Sequence, residues 1–274
     1  MENKNRQVAI LMSTYNGERY ISSQLDSIIN QTHTNFRLYI RDDGSIDNTI
    51  QIINDYVNRD SRIVLVNDSI KHRGVKNSFL WLLEQVECEY YMFCDQDDVW
   101  LPKKISESLK YITQSKVSQP TVVCTDLFLV NQDLDIINKS MWETHHIRKL
   151  VNNKDGLKIA SMFPGCTMLF NHMAKEIALS ETFEFPLHDM QISLTTYKHN
   201  GVIIPIHSSL IKYRQHSNNV VGLYSGNKWV LNKLANIKTT VIQMIKYYNI
   251  VHDYLSVSLL KYIILKIQHL FNRI

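Results

Sequence analysis

Apolar and polar positions switch between two periods along the first hundred residues. Val8–Ser13 is a short apolar run of strand length, and Glu18–Gln31 follows with Tyr20, Ile21, Leu25, Ile28 and Ile29 at helical spacing. Phe36–Ile40 predicts a second strand, ending at Arg41-Asp42-Asp43-Gly44-Ser45, and Asp47 is placed to cap a helix carrying Ile50, Ile53 and Val57. Ile63–Val66 predicts a third strand and Val75–Val86 a third helix. Tyr90–Cys94 predicts a fourth strand that stops at Asp95-Gln96-Asp97-Asp98. Strands alternating with helices of this length predict an α/β fold, a mostly parallel central sheet flanked by helices on both faces.

The middle is less regular. Thr121–Val130 predicts a strand, Asn131-Gln132-Asp133 a turn, and Leu134–Ile137 a second strand. Residues 140–160 show no clear period and read as loop or partly helical. Helices are expected over His172–Ser180 and His188–His199, and strands over Val202–Ile206 and Leu210–Tyr213. After Gly226 the texture changes. Leu231, Leu234, Ile237, Val241, Ile245, Tyr248, Val251 and Leu255 outline a long amphipathic helix, and Leu259–Ile274 a second one. These patterns divide the chain into residues 1–225 and a helical C-terminal extension, 226–274.

Composition narrows the class. Of 274 residues, 45% are hydrophobic and 20% charged, enough apolar material to offset the entropy of ordering, which excludes a disordered chain. A net charge of +4 is too small to point to nucleic acid. That average hides an asymmetry: residues 226–274 hold seven basic side chains (Lys228, Lys233, Lys238, Lys246, Lys261, Lys266, Arg273) against Asp253 alone, leaving residues 1–225 slightly acidic. Cys88, Cys94, Cys124 and Cys166 lack CxxC or Cys/His metal spacing and read as reduced core thiols of a cytoplasmic protein. No uncharged apolar stretch reaches the roughly 18 residues that span a bilayer, and the N-terminus has no h-region.

Ligands of open α/β sheets bind beyond the carboxyl ends of the strands. Two of the early strands end there in acidic clusters, Asp42-Asp43 and Asp95-Gln96-Asp97-Asp98. Carboxylates packed so closely repel one another, and a cation would relieve them. Asp95 and Asp97, two residues apart, could face one divalent ion together, and an all-oxygen set suits Mg²⁺ or Mn²⁺ bridging to a diphosphate. The alternative is that both clusters are solvated turns capping the helices that follow.

These residues carry a resemblance. Ser13-Thr14-Tyr15-Asn16-Gly17, Arg41-Asp42-Asp43-Gly44-Ser45 and Asp95-Gln96-Asp97-Asp98-Val99-Trp100 resemble motifs of the family 2 glycosyltransferases with a GT-A (Rossmann-like) fold. The likeness continues through Cys124-Thr125-Asp126, Pro164-Gly165-Cys166-Thr167, His188-Asp189 and Tyr213-Arg214-Gln215-His216-Ser217-Asn218-Asn219, covering about residues 7–222. Within the family the order and spacing are most similar to bacterial rhamnosyltransferases of capsule and cell-wall polysaccharide synthesis.

The resemblance implies roles. Thr14, Tyr15 and Asn16 would line the base and ribose of a nucleotide, and Asp42 or Asp43 would accept the imide N–H of uracil or thymine. Arg73, Gly74 and Asn77 would close over the donor. Asp95 and Asp97 correspond to the DxD pair, one toward ribose and one toward the metal. Asp98 would order the loop and Trp100 would wall the sugar pocket. Gly165, Cys166, His188 and Arg214 would lie near sugar, acceptor or phosphate, and His216 near the diphosphate or metal. Asp189 matches the position of the general base of inverting transfer, and it also suits a helix N-terminus. Trp142, His145 and His146 lie either on the acceptor's approach or on a loop. The implied activity is metal-dependent transfer of a sugar, L-rhamnose from dTDP-L-rhamnose, to a cell-surface or polyprenyl-diphosphate-linked glycan. A UDP-hexose transferase of the same family and a catalytically silent glycan-binding subunit are the alternatives. The basic tail suits packing on the catalytic domain, a homodimer, or peripheral contact with an anionic membrane.

Overall fold

The computed structural model describes residues 5–216 and 237–271. The expected boundary near residue 225, the Ser217-Asn218-Asn219 end of the last motif, Leu231 and Leu234 lie outside the described residues. Two compact units form: residues 1–127 with 163–214, and residues 128–162 with 215–274.

The first unit is built on a sheet. Strands β1 (Val8–Thr14), β2 (Phe36–Asp42), β3 (Ile63–Leu65) and β4 (Tyr90–Cys94) are joined by helices α1 (Ile21–Ile29), α2 (Thr49–Arg59) and α3 (Val75–Gln85). Beyond β4 come β5 (Val99–Trp100), α4 (Lys104–Ile112), β6 (Thr121–Val130), β8 (Met168–Asn171), α6 (His172–Leu179), α7 (His188–Lys198) and β9 (Val202–Arg214). The strand order is β3-β2-β1-β4-β8-β6-β9-β5. β1 through Met12 is shut off from solvent, as its unbroken apolar run requires of a strand covered on both faces. The expected parallel character holds for β3-β2-β1-β4, while β8 runs antiparallel to both β4 and β6. The central register brings Thr14 beside Asp42 and Met12 beside Cys94, so the loops after β1, β2 and β4 emerge at one edge.

Several details depart from the sequence pattern. The α2 N-cap is Asn48, one residue after Asp47, although Asp47 still accepts the Thr49 N–H at 3.0 Å. The two strands expected over 202–213 are one continuous strand, β9. Helix α4 was not anticipated, although Ile105, Leu109 and Ile112 form its buried face at helical spacing. Its first residue, Lys104, is fully buried.

The second unit holds β7 (Ile136–Asn138), paired with the end of β6, and the short helix α5 (Met141–Thr144), capped by Ser140. Two further helices, α8 (Ile237–Leu255) and α9 (Leu259–Phe271), meet where Ser256 adopts φ 55°. The Tyr247 hydroxyl donates to the Leu157 carbonyl, tying α8 to the irregular 149–159 segment. No described helix is long and apolar enough to cross a membrane.

Candidate functional site

The β1 and β2 ends interlock. Asp42 accepts four hydrogen bonds: from Thr14 Oγ1 at 3.0 Å, Ser45 Oγ at 2.5 Å, and the N–H groups of Gly44 and Ser45 at 2.9 and 2.8 Å. Its carboxylate is spent on its own turn, where Gly44 supplies the φ of 97° that the turn needs. Asn16, at φ 48°, donates its N–H to Ser45 Oγ and accepts the Ile46 N–H at Oδ1. Tyr15 is 48% exposed, its ring edge-on to His72 at 5.8 Å. Both Tyr15 backbone groups are clasped by the Gln96 side chain, at 2.9 and 3.0 Å, so the loops after β1 and β4 are hydrogen-bonded together.

Asp43 is anchored differently. Oδ1 accepts from the Arg41 guanidinium and the Arg73 N–H, both at 2.8 Å, and Oδ2 accepts, among the described residues, only the Gly74 N–H at 3.0 Å. Burial pushes its pKa upward, but these bonds outweigh it and hold the carboxyl below its ordinary value. Arg41, wholly buried, also donates to Asp68, Ser78 Oγ and the Ile70 carbonyl. Arg73 pairs with Asp68 at 2.7 Å and lies over Trp81. Hydrogen bonds from Arg73, then from the Ile70 N–H and Arg41, hold Asp68 well below the carboxylate range against its burial. Arg73, expected with Gly74 and Asn77 to close over the donor, has its side chain engaged with Asp68 and its backbone N–H on Asp43. Asn77 is exposed on the first turn of α3, its amide donating to the Arg73 carbonyl. The Arg41–Asp68–Ser78 core of this network was missed in the sequence, where Arg41 stood out only as a neighbour of two aspartates.

The β4 end is electrostatically opposite. Ligand atoms of Asp95, Asp98 and Cys166 lie within 4.8 Å of one another. Burial first, then the Asp97 and Asp189 charges, raises the Asp95 pKa, and burial, then Asp97 and Asp95, raises that of Asp98. Asp98 Oδ1 accepts the Arg214 N–H at 3.2 Å, whereas Oδ2 is buried with no hydrogen-bond partner among the described residues. Cys166 is buried, and burial first, then the Asp98 and Asp95 charges, raises its thiol pKa well above the ordinary value. Beside the expected Asp95–Asp97 pair, Asp98 and Cys166 come within reach of Asp95, and the Asp97 charge acts on both Asp95 and Asp98. A hard divalent cation fits these carboxylates, because it would offset both the burial and the mutual repulsion that raise their pKa values.

Asp189 opens α7 beside this cluster. Oδ2 accepts the Gly165 N–H at 3.1 Å and Oδ1 the Met190 N–H at 2.6 Å. Burial raises its pKa to about 6. Gly165 is required here: a Cβ would come within 2.6 Å of His188 Nε2. His188, expected near sugar or acceptor, is buried. It is stacked on Phe79 at 4.3 Å and edge-on to Phe93 at 4.6 Å, and burial lowers its pKa to about 3. Trp100, expected to wall the sugar pocket, is 2% exposed, with Lys104 Nζ 3.7 Å from its ring centroid. Burial lowers the Lys104 pKa to about 7. Arg214 is buried too. It donates to the Asp97 carbonyl at 2.8 Å and to Ser23 Oγ, and lies over Tyr20, so it braces the Asp97–Asp98 turn. Gln24 and Ser27 of α1 hold the same turn through the Asp95 carbonyl and the Trp100 N–H. His216, Trp142, His145 and His146 belong to the second unit, Trp142 buried and His146 exposed.

Acidic turns follow β2 and β4, each tied to the end of β1 or the loop after it, the first through Thr14 and Asn16 and the second through Gln96, and a raised carboxyl at a helix start lies beside the second, all on a mixed α/β sheet. The sequence profile of Glycosyl transferase family 2 matches residues 9–178. The chain belongs to glycosyl transferase family 2. This family 2 chain is 37% identical to the dTDP-rhamnosyl transferase RfbG of Shigella flexneri over 102 residues, 36% of this chain and 35% of that protein. It is 30% identical to the UDP-Glc:alpha-D-GlcNAc-diphosphoundecaprenol beta-1,3-glucosyltransferase WfgD of Escherichia coli, over 40% of this chain and 43% of WfgD. The matches thus span less than half the length of these relatives. Among solved structures, the mannosyltransferase PcManGT from Pyrobaculum calidifontis, in complex with GDP-Man and Mn²⁺, superposes with a TM-score of 0.62 at 15% identity, covering 78% of this chain and 58% of that one. The family 2 chain has the GT-A fold.

Proposed function

We propose that this chain is an inverting glycosyltransferase that moves L-rhamnose from dTDP-L-rhamnose onto a hydroxyl of a cell-surface or lipid-linked glycan. The observation that carries the reaction class is Asp189: a carboxylate beside the acidic cluster, oriented by the Gly165 and Met190 N–H groups, with a pKa raised to about 6. Such a group is ionised at neutral pH yet more basic than an ordinary aspartate, which suits removal of a proton from an attacking hydroxyl. Asp43 is the better base reader of its pair, because Asp42 already accepts four bonds while Asp43 Oδ2 accepts one. Exposed Tyr15 is available to flank the base or ribose.

Asp95 and Asp97 would hold Mn²⁺ or Mg²⁺, with Asp98 within reach of Asp95. When bound, the cation supplies electrostatic stabilisation of the departing diphosphate. Arg214 and Gln24 keep the turn in place for it. The rhamnosyl donor is supported by the likeness to RfbG, and a UDP-hexose donor is the second reading, supported by the likeness to WfgD. WfgD's diphosphoundecaprenol substrate supports a lipid-linked acceptor.

Nucleoside diphosphate release from dTDP-rhamnose, UDP-glucose, UDP-galactose and a GDP-sugar, with a lipid-linked acceptor and Mn²⁺ or Mg²⁺, tests the proposal. Acceptor-dependent release from dTDP-rhamnose is expected. Release from UDP-sugars alone would replace the donor, and absence of any release with intact nucleotide binding would favour a silent glycan-binding subunit.

A further inference from the structure

Helix α9 presents its apolar side outward. Leu259, Leu260, Ile263, Ile264, Ile267, Leu270 and Phe271 are all exposed, Leu260 at 70% and Phe271 at 72%. At the α-helical repeat these seven positions fall within an arc of about 140° that contains no polar residue. The opposite side makes the contacts with the rest of the unit. Tyr262 is buried, its ring 5.2 Å from that of Tyr248 and its hydroxyl donating to the Met244 carbonyl. Leu265 and His269 line a groove shared with Leu150 and Ile159. On α8, Val241, Ile242, Met244 and Ile245 add a second exposed apolar stretch.

An apolar arc of this width on a water-facing helix needs an occupant. Charge selects it. The only charged side chains of α9 are Lys261 and Lys266, it has no acid, and the 226–274 segment carries seven basic residues to one acidic. A second copy of the chain would bring the same lysines against these. An anionic bilayer offers both complements, acyl chains for the arc and headgroup charge for the lysines along its borders. We infer that α9 lies in the interface of an anionic membrane, its Leu259–Phe271 arc inserted at the headgroup–acyl boundary along about 20 Å of helix. This docking face is independent of the donor and of the reaction assigned above.

Co-sedimentation of the full chain with vesicles of equal parts phosphatidylglycerol and phosphatidylcholine, against pure phosphatidylcholine, tests it. The wild type sediments with the anionic vesicles, and raised salt weakens the binding. The Leu260→Glu/Ile264→Glu variant binds about tenfold or more weakly, with circular dichroism and nucleotide binding unchanged. Should that variant fail to fold, Lys261→Glu, at an exposed position, reduces anionic-vesicle binding by several fold. Wild-type protein left in the supernatant overturns the inference, as does vesicle binding that none of these substitutions alters. Sedimentation equilibrium showing a dimer that Leu260→Glu/Ile264→Glu dissociates, without vesicle binding, would assign the face to a second copy instead.

Discussion

The two acidic strand ends of the sheet look alike in sequence and differ in how they are held. At the β2 end, Asp42, Asp43 and Asp68 are neutralised and hydrogen-bonded by Arg41, Arg73, Thr14, Ser45 and backbone N–H groups. At the β4 end, burial first and then neighbouring carboxylate charges raise the pKa values of Asp95 and Asp98, burial raises that of Asp189, and Asp98 Oδ2 is buried with no hydrogen-bond partner among the described residues. A carboxylate group that its own chain already satisfies acts as a shelf. One that its own chain leaves in repulsion is completed by what it binds.

The largest expected effect separates chemistry from binding. Asp189→Asn should lower kcat by about 10²–10⁴ while leaving donor affinity nearly unchanged. Equal losses in both would make Asp189 a binding residue. Next, Arg41→Ala should cost about 3–5 kcal/mol in a denaturant melt, because it leaves buried carboxylates without their countercharge. A loss no larger than that of an exposed substitution would remove the contrast between the two ends.

The pH dependence follows from the sign of the shifts. Asp189 acts ionised, so kcat should rise about tenfold per pH unit below its pKa and level off above about 6. Raised carboxyls bind protons more tightly folded than unfolded, so Asp98 adds stability below the unfolded pKa that is lost as pH rises through its folded value. Asp98→Asn should therefore raise the melting temperature of cation-free protein by a few degrees at pH 8, and by less at pH 5. Asp68 has the opposite sign: its stabilisation is present above the unfolded pKa and disappears as pH falls through the folded one. The smallest effect is Thr14→Val, which removes one of Asp42's four bonds at about 1 kcal/mol.

Much of this geometry was legible in the chain. The apolar run of β1, the helical spacing of Ile21, Leu25 and Ile28, and acids directly after Ile40 and Cys94 place two clusters at one edge of a sheet, because strand ends in parallel register must emerge together. What those clusters do was less legible. Nothing in Arg41-Asp42-Asp43 marks that Arg41 turns inward to Asp68 and Ser78, a pairing across 27 and 37 residues. Trp100 and His188 carry polar nitrogens and sit in motifs, yet both are held in the core by packing that only the fold brings together. Lys104 is the reverse case: a charged residue outside any motif, yet buried against the Trp100 ring. The antiparallel pairing of β8 with β4 and β6 was also hidden, because buried strands read the same in either direction.

The sharpest test of the unequal strand ends is the affinity of dTDP for the wild type, Asp97→Asn and Asp43→Asn, each by calorimetry with Mn²⁺ and with chelator. Mn²⁺ should tighten dTDP binding to the wild type and to Asp43→Asn, while Asp97→Asn binds equally with and without it. Equal wild-type affinity under both conditions would contradict the account, and so would a Mn²⁺ dependence that follows Asp43 instead of Asp97.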